Sequence, residues 1–138
     1  MNEIERKEYI RYRIESARKT YEAAKVLADN EFWNSAVNRL YYAVFYAVNA
    51  LLVLNEIQTK SHSATKSKFS LHFVKTGKFD KKYGRLLAEL FDWRQKGDYE
   101  NIFDYDSDSV QPMFKPVEEF INLIENEILS KTGEAPID

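Results

Sequence analysis

The sequence predicts an all-α domain, an antiparallel four-helix up-and-down bundle with one additional short helix. Three observations predict it. Apolar residues recur at steps of three and four along almost the whole chain, the period of a helix with one buried stripe. Turn signals are sparse, with four Gly and three Pro in 138 residues, whereas an all-β domain needs one about every 8–12 residues. The mixture of 44% hydrophobic and 30% charged residues supplies material for one core and is too apolar for a disordered chain. A chain of this length buries roughly two-thirds of its unfolded surface. It reads as one bundle over residues 1–130 with a flexible tail over 131–138.

Each element follows from its own pattern. Ile10, Ile14, Ala17, Tyr21, Ala24 and Ala28 form one stripe of a first helix from about Glu3 to Ala28, and Asp29-Asn30 supplies turn chemistry. The second segment is apolar around most of its circumference, from Trp33, Val37, Leu40 and Tyr41 to Val48, Leu51 and Leu52. A helix of that kind belongs at the centre, covered by several neighbours. After the polar stretch 55–64, Ser61 or Ser63 caps a short third helix carrying Phe69, Phe73 and Val74. Gly77 ends it, Asp80 caps a fourth helix with Tyr83, Leu86, Leu87, Leu90 and Phe91 in its core stripe, and Gly97 closes that helix. An acidic loop follows, whose Tyr99, Ile102, Phe103 and Tyr105 are expected to pin it to the bundle. The last helix, with Val117, Phe120, Ile121, Ile124 and Ile128, is expected to become regular near Lys115 because Pro116 lacks a donor.

Composition also excludes function classes. Cysteine is absent, which removes disulfides, thiolate metal sites and cysteine nucleophiles. No phosphate-cradling glycine loop, nucleophile elbow or zinc-protease helix occurs. His62 and His72 read as one loop and one helix-surface histidine rather than as metal ligands, so no metal and no cofactor is expected. The charged N-terminal stretch and the lack of a long unbroken apolar run lead us to expect neither a signal peptide nor a membrane span, hence a cytoplasmic protein. Net charge is −2, but residues 60–96 carry ten basic side chains against three acidic ones, and residues 97–138 carry eleven acids against two bases. Either the basic segment is a face for a polyanion, or oppositely charged helices lie side by side.

Three pieces stand out together: SAVNRLYYAVFYAVNALL in the second helix, TKSHS with HFVKTGKF after it, and RQKGDY at the end of the fourth. In that order and spacing they resemble the HEPN superfamily of small all-α domains, over about residues 8–130. The closest likeness is to the stand-alone branch whose fourth helix ends in Arg-x-x-x-Asp-Tyr, here Arg94, Asp98 and Tyr99. The resemblance implies a bundle that pairs face to face as a homodimer, often beside a minimal nucleotidyltransferase in toxin–antitoxin pairs. Many such proteins are metal-independent ribonucleases using an Arg followed after four to six residues by His. This chain departs from that pattern, since no histidine follows Arg94.

The residues to be placed are therefore few. Arg94, Asp98 and Tyr99 are the catalytic candidates; Asn38, Arg39, Tyr42, His62 and Arg94 are the candidate nucleotide or RNA contacts. Arg94 offers a planar fork for phosphate oxygens, whereas Asp98 and Tyr99 are poor substitutes for a histidine in proton transfer near neutral pH. The alternative, ranked behind a functional or dimer-facing role, is a helix-terminal ion pair of Arg94 and Asp98 worth about 0.3–0.5 kcal/mol. Asn38 and Arg39 either project into one groove with Arg94 or tie helix to helix. The expected function is a dimeric nucleotide- or RNA-binding bundle partnered with a minimal nucleotidyltransferase. A metal-independent RNase with a variant site and a purely structural adaptor are the alternatives.

Overall fold

The computed structural model describes residues 1–99 and 103–133. Helix α1 (Glu3–Asp29) starts where the Asn2 side chain accepts the Glu5 N–H at 2.8 Å. It buries Ile10, Ile14, Ala17, Tyr21, Ala24 and Ala28, the stripe read from the sequence. A turn with Glu31 at φ 62° reverses the chain into α2 (Trp33–Leu54). Tyr9 donates to Asn49 at 2.8 Å and Arg6 meets Glu56 at 3.1 Å, so the start of α1 lies against the end of α2 and the pair is antiparallel.

Helix α2 packs against each of the other α-helices. By length and composition it could cross a membrane, but here it is the core helix, burying eleven residues from Ala36 to Leu52. Its apolar circumference is thus largely consumed within the chain. Tyr42, Phe45 and Tyr46 form a half-buried strip midway along it, and Trp33, Val53 and Leu54 are half-buried toward its ends.

Ser61 is the cap of α3 (His62–Phe69), accepting the Ala64 N–H at 2.9 Å. The helix widens into a π turn, Ser70–Val74, and stops at Gly77, whose φ of 82° suits a residue without Cβ. Phe69 and Tyr83 both pack on Phe120, with ring centroids 5.3 and 4.9 Å away, which anchors this short segment in the core. Asp80 accepts the Lys82 N–H at 2.9 Å and opens α4 (Lys81–Tyr99). Asn38 of α2 meets Asp98 and Tyr42 meets Arg94, so α2 and α4 also run antiparallel.

Gly97 does not close α4, contrary to the sequence expectation; the helix runs on to Tyr99. The glycine serves packing instead. A Cβ at this position would stand 3.1 Å from the Tyr105 ring, which stacks on Trp93 at 4.9 Å and donates its hydroxyl to the Trp93 carbonyl at 3.0 Å. Asn34 completes the clasp by donating to the Phe103 carbonyl at 2.7 Å and accepting the Tyr105 N–H at 2.8 Å. Tyr105 and Phe103 do pin the segment, while Ile102 lies outside the described residues. Asn34→Ala removes both bonds and a third that the amide donates to the Gly97 carbonyl at 3.3 Å. We expect a loss of about 2 kcal/mol, measured by urea unfolding.

The chain after Asp106 holds more helix than its composition suggests. Asp106 caps a single turn, α5 (Ser107–Val110), which passes through a 3-10 turn (Gln111–Met113) into α6 (Phe114–Thr132). Pro116 falls in the first turn of α6, where no N–H donor is required. Tyr21 packs on Phe114 and Arg18 pairs with Glu125, so α6 runs antiparallel to α1. Gly133 ends the helix in the left-handed conformation. Residues 134–138, most of the expected tail, lie outside the described residues.

Candidate functional site

One face of α2 presents Asn38, Tyr41, Tyr42 and Phe45, residues spaced by three and four that share a helix side. Helix α4 brings Arg94 and Asp98 to this face from one turn of helix, which is why its continuation past Gly97 matters. The Ser61 cap sets His62 as the first residue of α3, and Thr65 steadies the approach by donating to the Ser61 carbonyl at 3.0 Å. Three separate stretches of chain thus meet at Tyr41 and Tyr42.

Arg94 is only 8% exposed. Its guanidinium lies 5.1 Å from the Tyr41 ring centroid and 5.6 Å from that of Tyr42, and Nη1 donates to the Tyr42 hydroxyl at 3.3 Å. The Asp98 carboxylate is no closer than 4.0 Å and accepts the Asn38 amide at 2.9 Å. Asn38 in turn accepts from Arg39 at 2.9 and 2.6 Å, and the Arg39 guanidinium rests over Tyr42 at 5.1 Å. Arg94 Nε is buried without a partner. Ring faces offset part of the cost of burying a cation, but an incompletely bonded buried guanidinium is expensive unless an anion completes its fork.

His62 stacks on Phe45 at 4.3 Å, and its Nδ1 lies 2.6 Å from the Tyr41 hydroxyl. Burial pushes the Tyr41 phenol well above its ordinary pKa, with Arg94 pulling it partly back. The phenol therefore keeps its proton, and its hydroxyl is hydrogen-bonded to Nδ1 of the imidazole. Burial, and then the nearby Arg94 charge, lowers the pKa of His62 below its ordinary value of 6.5. A depressed histidine contributes stability that is complete above the unfolded pKa and is lost as pH falls toward the folded one. We expect unfolding free energy to decline on acidification below about pH 6.5 by more in the parent than in His62→Gln. Thermal melts of the two proteins across that range measure the difference.

The structure brings together Asn38, Arg39, Tyr42, His62, Arg94 and Asp98. It leaves Tyr99 out: that side chain is 72% exposed at the last residue of α4. Tyr41, placed in the core stripe by the sequence, and Phe45 are what hold His62 beside Arg94. No local signal marks them, because His62 reaches them across the 55–61 connection. Among the described residues no three His, Asp or Glu side chains gather into a metal-holding set. Of the ten basic side chains in 60–96, only Lys78, with Glu127, and Arg94, with Asp98, come within 4.0 Å of a carboxylate among the described residues.

A family model for the HEPN domain matches residues 10–127, a span that contains the whole cluster. The chain belongs to the HEPN family. Its relatives extend that match along nearly its full length. A UPF0332 protein of Thermotoga maritima is 38% identical over 125 residues, 91% of this chain and 93% of that protein. A protein of Methanocaldococcus jannaschii named "Putative toxin MJ0142" is 33% identical over 118 residues, 86% of this chain and 80% of its own length. A second from the same organism, "Putative toxin MJ0605", is 37% identical over 93 residues, 67% of this chain and 69% of that protein. In this HEPN domain, then, the arginine of the fourth helix shares its two tyrosine neighbours with a histidine that comes from upstream in the chain.

Proposed function

We propose that this HEPN domain is a nucleotide- or RNA-binding homodimer of toxin type, acting beside a minimal nucleotidyltransferase. One observation carries the binding half of the reading: Arg94 is buried on two tyrosine faces with its Nε donor unpartnered, a fork that a phosphate would complete. The toxin half is supported by the names of the two M. jannaschii relatives. The dimer has a narrower basis than the composition of α2 suggests, because the bundle itself covers most of that helix. What supports pairing is the half-buried strip Tyr42, Phe45 and Tyr46, which a two-fold contact would cover.

Calorimetric titration with AMP tests the binding reading, and sedimentation tests the dimer. Heat that saturates in the parent and vanishes on loss of the Arg94 charge supports phosphate capture. A species of 16.3 kDa alone at micromolar concentration refutes pairing.

His62 favours a second reading, metal-independent RNA cleavage. Attack by a 2′-hydroxyl needs a proton carrier near neutral pH and a cation on the phosphate. His62 and Arg94 supply one each around the same two tyrosines, with Tyr41 hydrogen-bonded to the imidazole. Cleavage of a labelled RNA in EDTA, lost in His62→Gln with AMP binding intact, would establish it.

A further inference from the structure

The start of α1 and the end of α2 enclose a cleft that shares no lining residue with the Arg94 cluster. Helix α2 presents Asn49, Leu52, Val53 and Glu56, spaced by three and four along one side, and α1 adds Arg6 and Tyr9. The connection after α2 supplies the remaining wall, because the helix ends in a tight reversal. Glu56 takes φ 57°, and the Ile57 N–H donates back to the Leu52 carbonyl at 2.9 Å. That turn brings Ile57 and Lys60 to the cleft. The cavity holds about 500 Å³ and is open to solvent, within the roughly 300–1,000 Å³ of small-molecule sites.

Its lining divides by chemistry. Leu52 is buried and Val53 and Ile57 half-buried, which gives an apolar floor. Most polar groups around that floor are already paired. Arg6 meets Glu56 at 3.1 Å. Arg13 Nε donates to the Tyr9 hydroxyl at 3.0 Å, so the phenol proton is directed to Asn49 Oδ1 at 2.8 Å. Two donors are left over. The Asn49 amide nitrogen and the exposed Lys60 ammonium make no hydrogen bond or ion pair among the described residues. With Arg6 and Glu56 cancelling, the lining side chains retain one positive charge. An apolar floor beside one spare cation and an amide donor suits a singly charged carboxylate on a hydrocarbon body. A phosphate monoester would bring up to about two negative charges to a site that offsets one.

We propose that this cleft binds a small amphiphilic monocarboxylate, its carboxylate held by Lys60 and Asn49 and its hydrocarbon body lying on Leu52, Val53 and Ile57. The proposal is independent of the phosphate-binding reading of Arg94.

Amide chemical-shift titration with octanoate, 1-octanol and octyl phosphate tests it. In the parent, octanoate should shift the amides of residues 49–60 and saturate with a Kd of about 1 mM or tighter, as a ligand of this size allows. Lys60→Gln should weaken octanoate about fivefold. Asn49→Asp keeps the oxygen that Tyr9 bonds and puts a second oxygen where the amide nitrogen was. Like-charge repulsion should then cost octanoate at least about tenfold, while 1-octanol changes less than about threefold. Lys60 is exposed, so Lys60→Gln reports on recognition even where Asn49→Asp fails to fold. The absence of a saturable shift in the parent overturns the proposal, as does parent-like octanoate affinity in Lys60→Gln. Binding of 1-octanol as tight as that of octanoate overturns it in favour of an apolar cleft that reads no charge. Tighter binding of octyl phosphate overturns the carboxylate assignment. Shifts confined to residues 38–45 and 94–98 place octanoate at Arg94 and overturn this cleft as its site.

Discussion

Arg94→Met is expected to abolish phosphate binding while changing stability by less than about 1 kcal/mol. The substitution keeps a long side chain against the Tyr41 and Tyr42 rings and removes a buried charge that no anion neutralises at close range. Asp98 is not stranded by it, because its side chain retains 27% exposure and the Asn38 hydrogen bond. Arg94→Ala removes the same charge but empties the space between the rings, and should cost about 2–4 kcal/mol. The two variants therefore separate charge from volume. Equal loss of AMP binding with unequal loss of stability supports an anion site. A methionine variant that is strongly destabilised yet still binds AMP would show Arg94 to be a structural tie, as an adaptor requires. The structure departs from the ion-pair alternative here. The arginine is too buried for a surface ion pair, and its carboxylate neighbour is too solvated to be left unpaired in a core.

Arg18→Ala should be the most destabilising single change outside the apolar core, at about 3–5 kcal/mol. Glu125 is buried on α6, with its side chain 9% exposed, and its Oε1 accepts from Nε and Nη2 of Arg18 while Oε2 has no partner. Removing Arg18 deprives a buried carboxylate of its two donors. The effect should be asymmetric. Glu125→Leu leaves Arg18 with 35% of its side chain in solvent, where it can be hydrated, so that variant should lose far less. The double variant Arg18→Met/Glu125→Leu should recover to within about 1 kcal/mol of the parent, since a desolvated pair is readily replaced by apolar packing. Urea unfolding of the three proteins gives the comparison. If Arg18→Ala proves no worse than Glu125→Leu, the pair is not a buried one in solution.

Most of the helical architecture was legible because helix periodicity is local. The stripe of α1, the central role of α2, the Ser61 and Asp80 caps, the Gly77 stop and the core face of α6 all follow from residues within a few turns of one another. The misreadings share one cause. Gly97 carries the local signature of a helix end, but its missing side chain makes room for Tyr105, which is eight residues away and held there by Asn34 of another helix. The turn of α5 depends on capping geometry that composition alone does not order.

The candidate site divides in the same way. By itself the sequence determined that the chain is helical and HEPN-like, which polar residues lie beside the apolar stripe of α2, and that Arg94 lacks a histidine downstream. Only the tertiary structure decided that His62 stands in that neighbourhood, that Tyr41 orients it, that Tyr99 lies outside, and that Lys78 alone of the basic segment pairs with the last helix among the described residues. The physical reason is range. Period, caps and turns are written within a few residues, whereas burial, pKa and charge pairing depend on groups brought together from across the chain.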